Sequence, residues 1–525
     1  MQNQLMNYVR TTPMKVNKSL RRDVVRAISS QDAGKIIPVA VATLLREDRV
    51  SRAAYEVRVQ MQETPETLMN GIAVVGHAVF VPWAAPERFE GSMDRFNRSY
   101  KGEPDKAGGD VVPFFETIAY DASAEFWNTL GIHAKAGSNV NRTYVEGYNI
   151  LVNHWRKRRS TKLPLRTETD TTLAEAFWQD MPNIVPDFDR ALIDGEVSLQ
   201  LNQQQIPLKS VAVTGNSGTN RFAPGTDVSG AAGAVLDGDG FYDWTGKIWA
   251  EMQQEGLALT LSNIELAKKT AAFAAMRKEY ANVGDDYLID LLMSGVRIPD
   301  AEMMQPIVLD TQSSVIGYTK RYASDAANLD ASVTTGETRL RFKFRTPPMN
   351  TGGNIFIVLQ IVPEQMFERK QDDMLTTTDP DNLPVFVRDH LDPEKVAIVQ
   401  NKEIDVEHSA PDGVFGYAPL NHQWNRDFTR VGGKFMRQIG DPFDEDRQRL
   451  WAVETVDPAL TADFYLVSDL HKKVFADNLA HSFELTTLGE MQIVGNTVFG
   501  ARLHEDTSDY EELMAQVDTT SVLGA

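Results

Sequence analysis

The sequence contains no cysteine. This absence excludes disulfide bonds, thiolate zinc sites, iron–sulfur clusters and cysteine nucleophiles, and it suits folding in a reducing cytoplasm. No apolar run of about 18 residues occurs, so we expect no membrane-spanning helix. The first residues, Met1 to Tyr8, are polar and no apolar signal-peptide segment follows them. We therefore expect a chain that is made in the cytoplasm and is not secreted.

Motifs that carry catalytic chemistry are also missing. The nine histidines are scattered and form no zinc-binding pair, and no Gly-x-Ser-x-Gly nucleophile turn occurs. Residues 215–221 resemble a phosphate loop but lack its Gly-Lys-Ser/Thr ending, and residues 237–240 lack the later ligands of a calcium loop. We predict no enzyme, no cofactor and no metal site, although two glycosidase carboxylates among the 73 acidic residues stay an alternative.

Charge is unevenly distributed along this acidic chain, whose formal net charge is −20. Residues 1–30 are basic, with Asp23 as their single acidic residue. A basic arm on an acidic body is one way to make a two-faced subunit. The alternative is a disordered polar terminus with no partner. The basic residues of the arm are Arg10, Lys15, Lys18, Arg21, Arg22 and Arg26.

Hydrophobic patterning predicts strands at both ends of the chain. Residues 52–61 and 338–345 alternate between apolar and charged side chains, which is typical of half-buried strands. Residues 72–81 and 355–362 are continuous apolar runs, which favour buried strands. Further strands are predicted near 464–467 and 492–499. Short strands with long connections predict a mainly β, antiparallel sandwich or jelly roll with loop and helical insertions.

Helices and loops occupy the middle of the chain. Residues 141–166 are predicted to be helical and then looped, 262–280 has capping-box spacing and one apolar face, and a further helix is predicted over 285–295. Glycine and small polar residues dominate 195–250, which indicates an excursion loop without its own dense core. The predicted divisions are a basic arm (1–30), a first part of the jelly roll with a helical insertion (31–194), a glycine-rich surface protrusion (195–255), a helical insertion (256–330), and the second part of the jelly roll with a C-terminal tail (331–525).

The densest basic cluster follows a tryptophan in the predicted helix. It comprises Trp155, Arg156, Lys157, Arg158 and Arg159, with Lys162 and Arg166 close behind. One interpretation is a solvated helix end, where cations are favoured by the helix dipole. A second is an inner patch that contacts phosphates, with the indole stacked on a base. A salt bridge to an acidic neighbouring subunit is the third.

Several stretches, in order and spacing over about residues 33–435, resemble the major capsid protein of the Microviridae, the small tailless single-stranded DNA phages. The similarity is greatest to the gokushovirus-like branch. The stretches are Ala33–Pro38, Phe80–Pro82 with Arg88 and Phe96, Glu146–Asn149, Ser262–Ala267, Asp286 to Val296, Asn401–Glu403, and Phe415–Tyr417 followed by Trp424, Arg430, Val431 and Gly433.

The resemblance implies an eight-stranded jelly roll that self-assembles into a T=1 icosahedral virion around circular single-stranded DNA. It implies an insertion loop that protrudes at threefold axes toward a host receptor, and a DNA pilot protein and an internal scaffolding protein as partners. It also implies synthesis in the bacterial host cytoplasm. The predicted DNA contacts are Lys15, Lys18, Arg21, Arg22, Trp155, Arg156, Lys157, Arg158 and Arg159. Rival hypotheses are a β-rich virion spike or receptor-binding module, and a carbohydrate-active β-sandwich enzyme.

Overall fold

The structure is a computed structural model of the chain. It describes residues 18–186, four short strands between 198 and 222, residues 304–322 and residues 332–500. Single positions or short stretches inside these ranges are excepted. They are 107, 161, 180, 182, 367–368, 378–379, 381–382, 392–394, 426–429, 437–448, 452–456 and 469.

The described chain is mainly β, and its sheets are antiparallel, as the sequence predicted. The strands are β1 (Ser19–Gln31), β2 (Ile36–Leu44), β3 (Arg49–Met61), β4 (Ile72–Pro82), β5 (Thr117–Ala119), β6 (Asn139–Asn141), β7 (Ser198–Leu201), β8 (Gln204–Pro207), β9 (Ala212–Thr214), β10 (Asn220–Phe222), β11 (Ile307–Val315), β12 (Gly317–Tyr322), β13 (Ser332–Phe344), β14 (Gly353–Pro363), β15 (Val396–Gln400), β16 (Val414–Pro419) and β17 (Phe483–Gly495).

Helices in the described residues are fewer and mostly short. They are α1 (Met93–Lys101), α2 (Glu125–Leu130), α3 (Thr143–Arg159), α4 (Asp373–Thr376), α5 (Phe386–Leu391), α6 (Asn401–Ile404) and α7 (Ala462–Tyr465). Short 3-10 turns lie at Glu87–Phe89, His422–Trp424 and Gly433–Phe435. Within the ranges that the structure describes, no helix has the length and apolar character needed to cross a membrane.

Two large sheets organise the fold. One has the order β1-β17-β3-β13-β12 and the other the order β11-β4-β14-β2. The pairs are nested along the chain, because β1 pairs with β17, β2 with β14, β3 with β13 and β4 with β11. A chain folded back on itself in this way brings its first and last strands side by side, although hundreds of residues separate them.

The core between the sheets explains why the strands alternate. On β3, Tyr55, Val57 and Val59 are buried between the layers, whereas Arg58 on the opposite side is exposed. Phe342 on β13 and Phe80 on β4 are fully buried in the same core. Each such side chain stabilises the fold by about 1.5–3 kcal/mol relative to an exposed one.

A second core lies on the outer side of the four-stranded sheet. Val79 on β4 and Phe356 on β14 pack there with Tyr148 and Leu151 of α3. The Tyr148 hydroxyl donates to the carbonyl oxygen of Ile36 at 2.7 Å, which fixes the helix to the sheet. Because both sides of β14 are covered, it is buried along its whole length, and its sequence is apolar instead of alternating.

The N-terminal arm predicted over 1–30 is not an arm throughout. Ser19 to Gln31 form β1, paired along its full length with β17. The sequence did not reveal this strand because apolar side chains occur on both of its sides, with Val25 turned inward and Ile28 fully outward at 87 % exposure. Residues 1–17 lie outside the described residues.

The insertions also differ from the prediction. The described end of the predicted helical insertion (256–330) is not helical: it contains β11 and β12. The predicted helices at 262–280 and 285–295 lie outside the described residues. Within the predicted protrusion (195–255), β7 pairs with β8 and β9 with β10, while 223–255 are outside the described part.

Two predicted strands near the C-terminus need correction. Residues 464–467 lie at the end of α7 and just after it, because the 462–465 turn closes through a bond from the Leu466 amide to the Ala462 carbonyl. The strand predicted at 492–499 is the end of β17, which stops at Gly495.

Candidate nucleic-acid interface

The basic cluster of the sequence lies at the C-terminal end of α3. The Asn141 side chain accepts from the Thr143 amide at 2.9 Å and so satisfies the first backbone N–H of the helix. The last turn carries Arg156, Lys157, Arg158 and Arg159, where cations meet the negative end of the helix dipole. The predicted helix over this segment is therefore confirmed.

Arg156 is an internal residue. Its side chain is only 4 % exposed and donates to the Pro164 carbonyl oxygen at 2.6 Å and to the Glu175 carboxylate at 2.7 Å. Burial lowers the pKa of Arg156 from its ordinary value, although the Glu175 carboxylate opposes the shift. Its guanidinium fastens α3 to the following loop, so we remove Arg156 from the candidate DNA contacts.

Arg166 has a similar internal role. Its guanidinium donates to the Asn149 side chain at 2.8 Å and to the Thr172 carbonyl oxygen at 2.6 Å, and it pairs with Asp170 at 3.0 Å. Two of the cations that made the sequence cluster dense thus stabilise the loop after α3. A run of basic residues in sequence does not show this, because the partners come from residues that only folding brings near.

Trp155 is half-buried against the four-stranded sheet. Its ring lies 5.1 Å from the His77 ring, centroid to centroid, at an angle of 59°. The His77 ring in turn bonds the Thr311 hydroxyl at 3.1 Å, and burial lowers the pKa of His77. The indole therefore serves as packing between α3 and the sheet. Of the cluster, Arg158 and Arg159 are exposed and Lys157 is half-buried.

The N-terminal cations are placed on or beside β1. Lys18 is exposed just before the strand, and Lys15 lies outside the described residues. Arg21 turns inward, where it donates to the Thr43 carbonyl oxygen at 2.8 Å and pairs with the buried carboxylate of Asp48. Arg22 turns outward and pairs with Glu490 at 2.9 Å. Arg21 thus tethers the strand, and Arg22 belongs to the surface of the five-stranded sheet.

The two predicted basic groups do not form one surface. Arg22 lies on the solvent side of the five-stranded sheet, and α3 packs on the far side of the four-stranded sheet. Two packed sheets are about 10 Å apart, so the whole sandwich separates the groups. The two groups therefore face different surroundings on a single copy of the chain.

A third basic surface covers the solvent side of the five-stranded sheet. It was not among the candidate sites predicted from the sequence. We call it the sheet face and define it by the outward positions of β1, β17, β3 and β13. In an acidic chain, this face carries more basic than acidic side chains. Its basic residues are Arg22, Arg26, Arg49, Arg52, Arg58, Arg339, Arg341 and Lys343, and its acidic residues are Glu56, Glu337, Glu484 and Glu490.

Ion pairs satisfy only part of the sheet face. Four of its arginines pair with glutamates at distances of 2.6 to 3.0 Å, three of them across strands and Arg339 with Glu337 on the same strand. Among the described residues, the side chains of Arg26, Arg49, Arg52 and Lys343 form no ion pair within 4 Å, although the charge of Arg52 acts on Glu490. A surface with unpaired cations attracts a polyanion without reading its sequence. The alternation at 338–345 was the available signal, because it already put Arg339, Arg341 and Lys343 on one side.

No histidine–carboxylate cluster that could hold a metal ion occurs within the ranges that the structure covers. Comparison with known proteins adds no relative: no family model matches the chain, and no curated protein matches it.

Proposed function

We propose that this chain is the major capsid protein of a small tailless phage, similar to the gokushovirus-like Microviridae, and that it forms a closed shell around single-stranded DNA. The observation that carries the proposal is the nested pairing of β1 with β17, β2 with β14, β3 with β13 and β4 with β11. Nested pairs distributed over two facing sheets are what the eight strands of a jelly roll require, and viral coats use that fold repeatedly.

In this proposal, β12 is an added strand beside the eight. The long connection between β4 and β11 supplies α1, α2 and α3 and the hairpins β7–β8 and β9–β10. Such connections enlarge a small β core into a subunit with surface for several neighbours. The predicted protrusion at 195–255 belongs to the same connection, and we propose it as the segment that meets the host receptor.

The sheet face is the surface we assign to the genome. Its cations Arg26, Arg52 and Lys343 are exposed and form no ion pair within 4 Å in the described residues. Phosphate contacts of this kind carry no sequence information, which suits a coat that must cover a whole genome. Because α3 lies on the opposite side, Arg158 and Arg159 then face away from the DNA and toward neighbours or solvent.

Exposed apolar side chains support assembly. Leu375 is 83 % exposed and Phe386 is 81 % exposed, and both belong to the short helices α4 and α5. Met374 and Val387 beside them are also more than half exposed. Large exposed apolar groups usually mark surfaces that a partner covers. A shell of many copies supplies that partner, with a scaffolding protein and a DNA pilot protein as further proposed partners.

The test is to express the chain in bacterial cytoplasm, separate the product by sedimentation, and image it by negative-stain electron microscopy. We expect uniform closed particles that contain nuclease-protected single-stranded DNA when a circular single-stranded template is present. A small oligomer or a monomer, both alone and with a co-expressed scaffolding protein, would reject the shell. It would favour the spike, which acts as a small oligomer on a virion.

A further inference from the structure

An apolar row runs along the outermost strand of the sheet face. In the described five-stranded sheet β1 is an edge strand, paired with β17 alone. Its outward positions alternate between apolar side chains and arginines, and Leu488 of β17 lies opposite Arg26. We call this set the β1 row. Its apolar members, each more than half exposed, are Leu20, Val24, Ile28 and Leu488, and its cations are Arg22 and Arg26.

The β1 row requires an occupant that is both apolar and acidic. A contiguous set of exposed apolar side chains usually marks a surface that another group covers. Arg22 pairs with Glu490, whereas Arg26 forms no ion pair within 4 Å among the described residues. A second copy of β1 would bring further arginines against these two, and like charges placed opposite each other are destabilising. Phosphates alone would leave Ile28 and its apolar neighbours in water.

The chain itself contains a segment with this composition. Residues 501–525, which lie outside the described residues, include six acidic residues and one basic residue. We call them the acidic segment. Tyr510, Leu513, Met514 and Val517 are spaced as the apolar side of a helix is spaced. The acidic residues that surround them are Glu505, Asp506, Asp509, Glu511, Glu512 and Asp518.

The acidic segment begins close to one end of the β1 row. β17 ends at Gly495, which pairs with Ser19, the residue before Leu20. Each residue spans up to about 3.3–3.6 Å, so residues 496–503 are enough chain to turn back toward the row. From Leu20 to Ile28 the row is about 27 Å long, and a helix over 504–518 is about 22 Å long. Both the starting point and the length fit the acidic segment of the same copy.

We propose that the acidic segment covers the β1 row of its own copy until single-stranded DNA displaces it. Its carboxylates pair with Arg22 and Arg26 in place of phosphates, and its apolar residues cover those of the row. Because the row belongs to the sheet face, the segment competes with the genome for that surface. The competition rests on the proposed function, whereas the docking of the segment on the row does not.

The first experiment tests docking and uses the absence of cysteine from the chain. Ser30→Cys, at an exposed position next to the row, is combined with Gln516→Cys in the full chain and treated with a short bismaleimide. The control pair combines Gln516→Cys with Glu103→Cys, at an exposed position outside the sheet face. We expect the first pair to cross-link within one chain about tenfold faster, because docking raises the local concentration. Equal rates, or links only between different chains, would overturn docking within one copy.

The second experiment tests competition by measuring the affinity of the full chain for an oligothymidine after Asp509→Asn, Glu511→Gln and Glu512→Gln together. A segment that occupies the row for about nine-tenths of the time lowers the apparent affinity about tenfold. We therefore expect the triple variant to bind about three- to tenfold more tightly than the unmodified chain.

A matched control separates competition from the change in net charge. It neutralises three exposed acidic residues outside the sheet face, Glu103, Asp110 and Asp463, and should change the affinity less than about twofold because salt screens distant charges. An equal rise in both variants would overturn the competition. A chain that binds no oligothymidine in any variant would overturn the proposed role in covering DNA, while the cross-linking result stands separately.

Discussion

Replacing Arg26, Arg52 and Lys343 together by glutamine removes three sheet-face cations that form no ion pair within 4 Å in the described residues. For single-stranded DNA, the logarithm of the binding constant falls with the logarithm of salt by about 0.7 per phosphate contact. Three lost contacts should therefore make the slope shallower by about 2. At 0.1 M salt, the same relation gives a loss of about 100-fold in affinity.

The assay is fluorescence anisotropy of a labelled thirty-nucleotide oligothymidine, titrated with the purified chain at several sodium chloride concentrations. The matched control replaces Arg158, Arg159 and Lys162, three cations at the α3 end, by glutamine. We expect the control to change the slope by less than about 0.5, because these residues lie on the other side of the sandwich. If the control lowers the slope as much as the sheet-face variant does, or more, the assignment of DNA to the sheet face is wrong.

The remaining predictions concern stability. Glu175→Gln removes the charge partner of the buried Arg156. Because Glu175 is itself 36 % exposed, we expect the free energy of unfolding in urea to fall by about 2 kcal/mol. An unchanged free energy of unfolding would contradict the structural role of the pair. Gly489→Ala places a methyl group 2.0 Å from the Tyr55 ring, so we expect the free energy of unfolding in urea to fall by about 1–3 kcal/mol. An unchanged urea midpoint would contradict the packing of β17 on β3. The pKa of His154 is lowered from 6.5 to about 4 in the folded chain, so the unfolded chain binds more protons between these values and stability falls as pH drops through this window. Urea midpoints from pH 7 to pH 4 should fall more for the unmodified chain than for His154→Gln, by about 2–4 kcal/mol, and parallel profiles would show that the ring is not held neutral.

Strands whose two sides differ were predictable from the sequence. The alternation at 52–61 and 338–345 reports a buried inner side and a charged outer side, and both segments are strands of one sheet, paired through Leu340 opposite Val57. The apolar runs of β4 and β14 were equally informative, because burial on both sides leaves no position for charge. These patterns depend on local burial, which the sequence records directly.

Features that depend on distant partners were not predictable. β1 pairs with residues more than 450 positions away, and its two sides are mixed in polarity, so its basic residues resembled a disordered arm. Arg156 resembled a surface cation because Glu175 and the Pro164 carbonyl reach it only after the loop folds back. The sheet face emerged only once β1, β17, β3 and β13 were aligned.

Electron cryomicroscopy of assembled particles tests the central claim most directly. The account predicts a closed shell whose interior is lined by the sheet face, including Arg26 and Arg52, beside the genome density. In the same shell, α3 lies on the outer side of the sandwich. A shell with α3 and its basic end turned toward the genome, or a purified chain that forms no closed shell with its scaffold present, would contradict it.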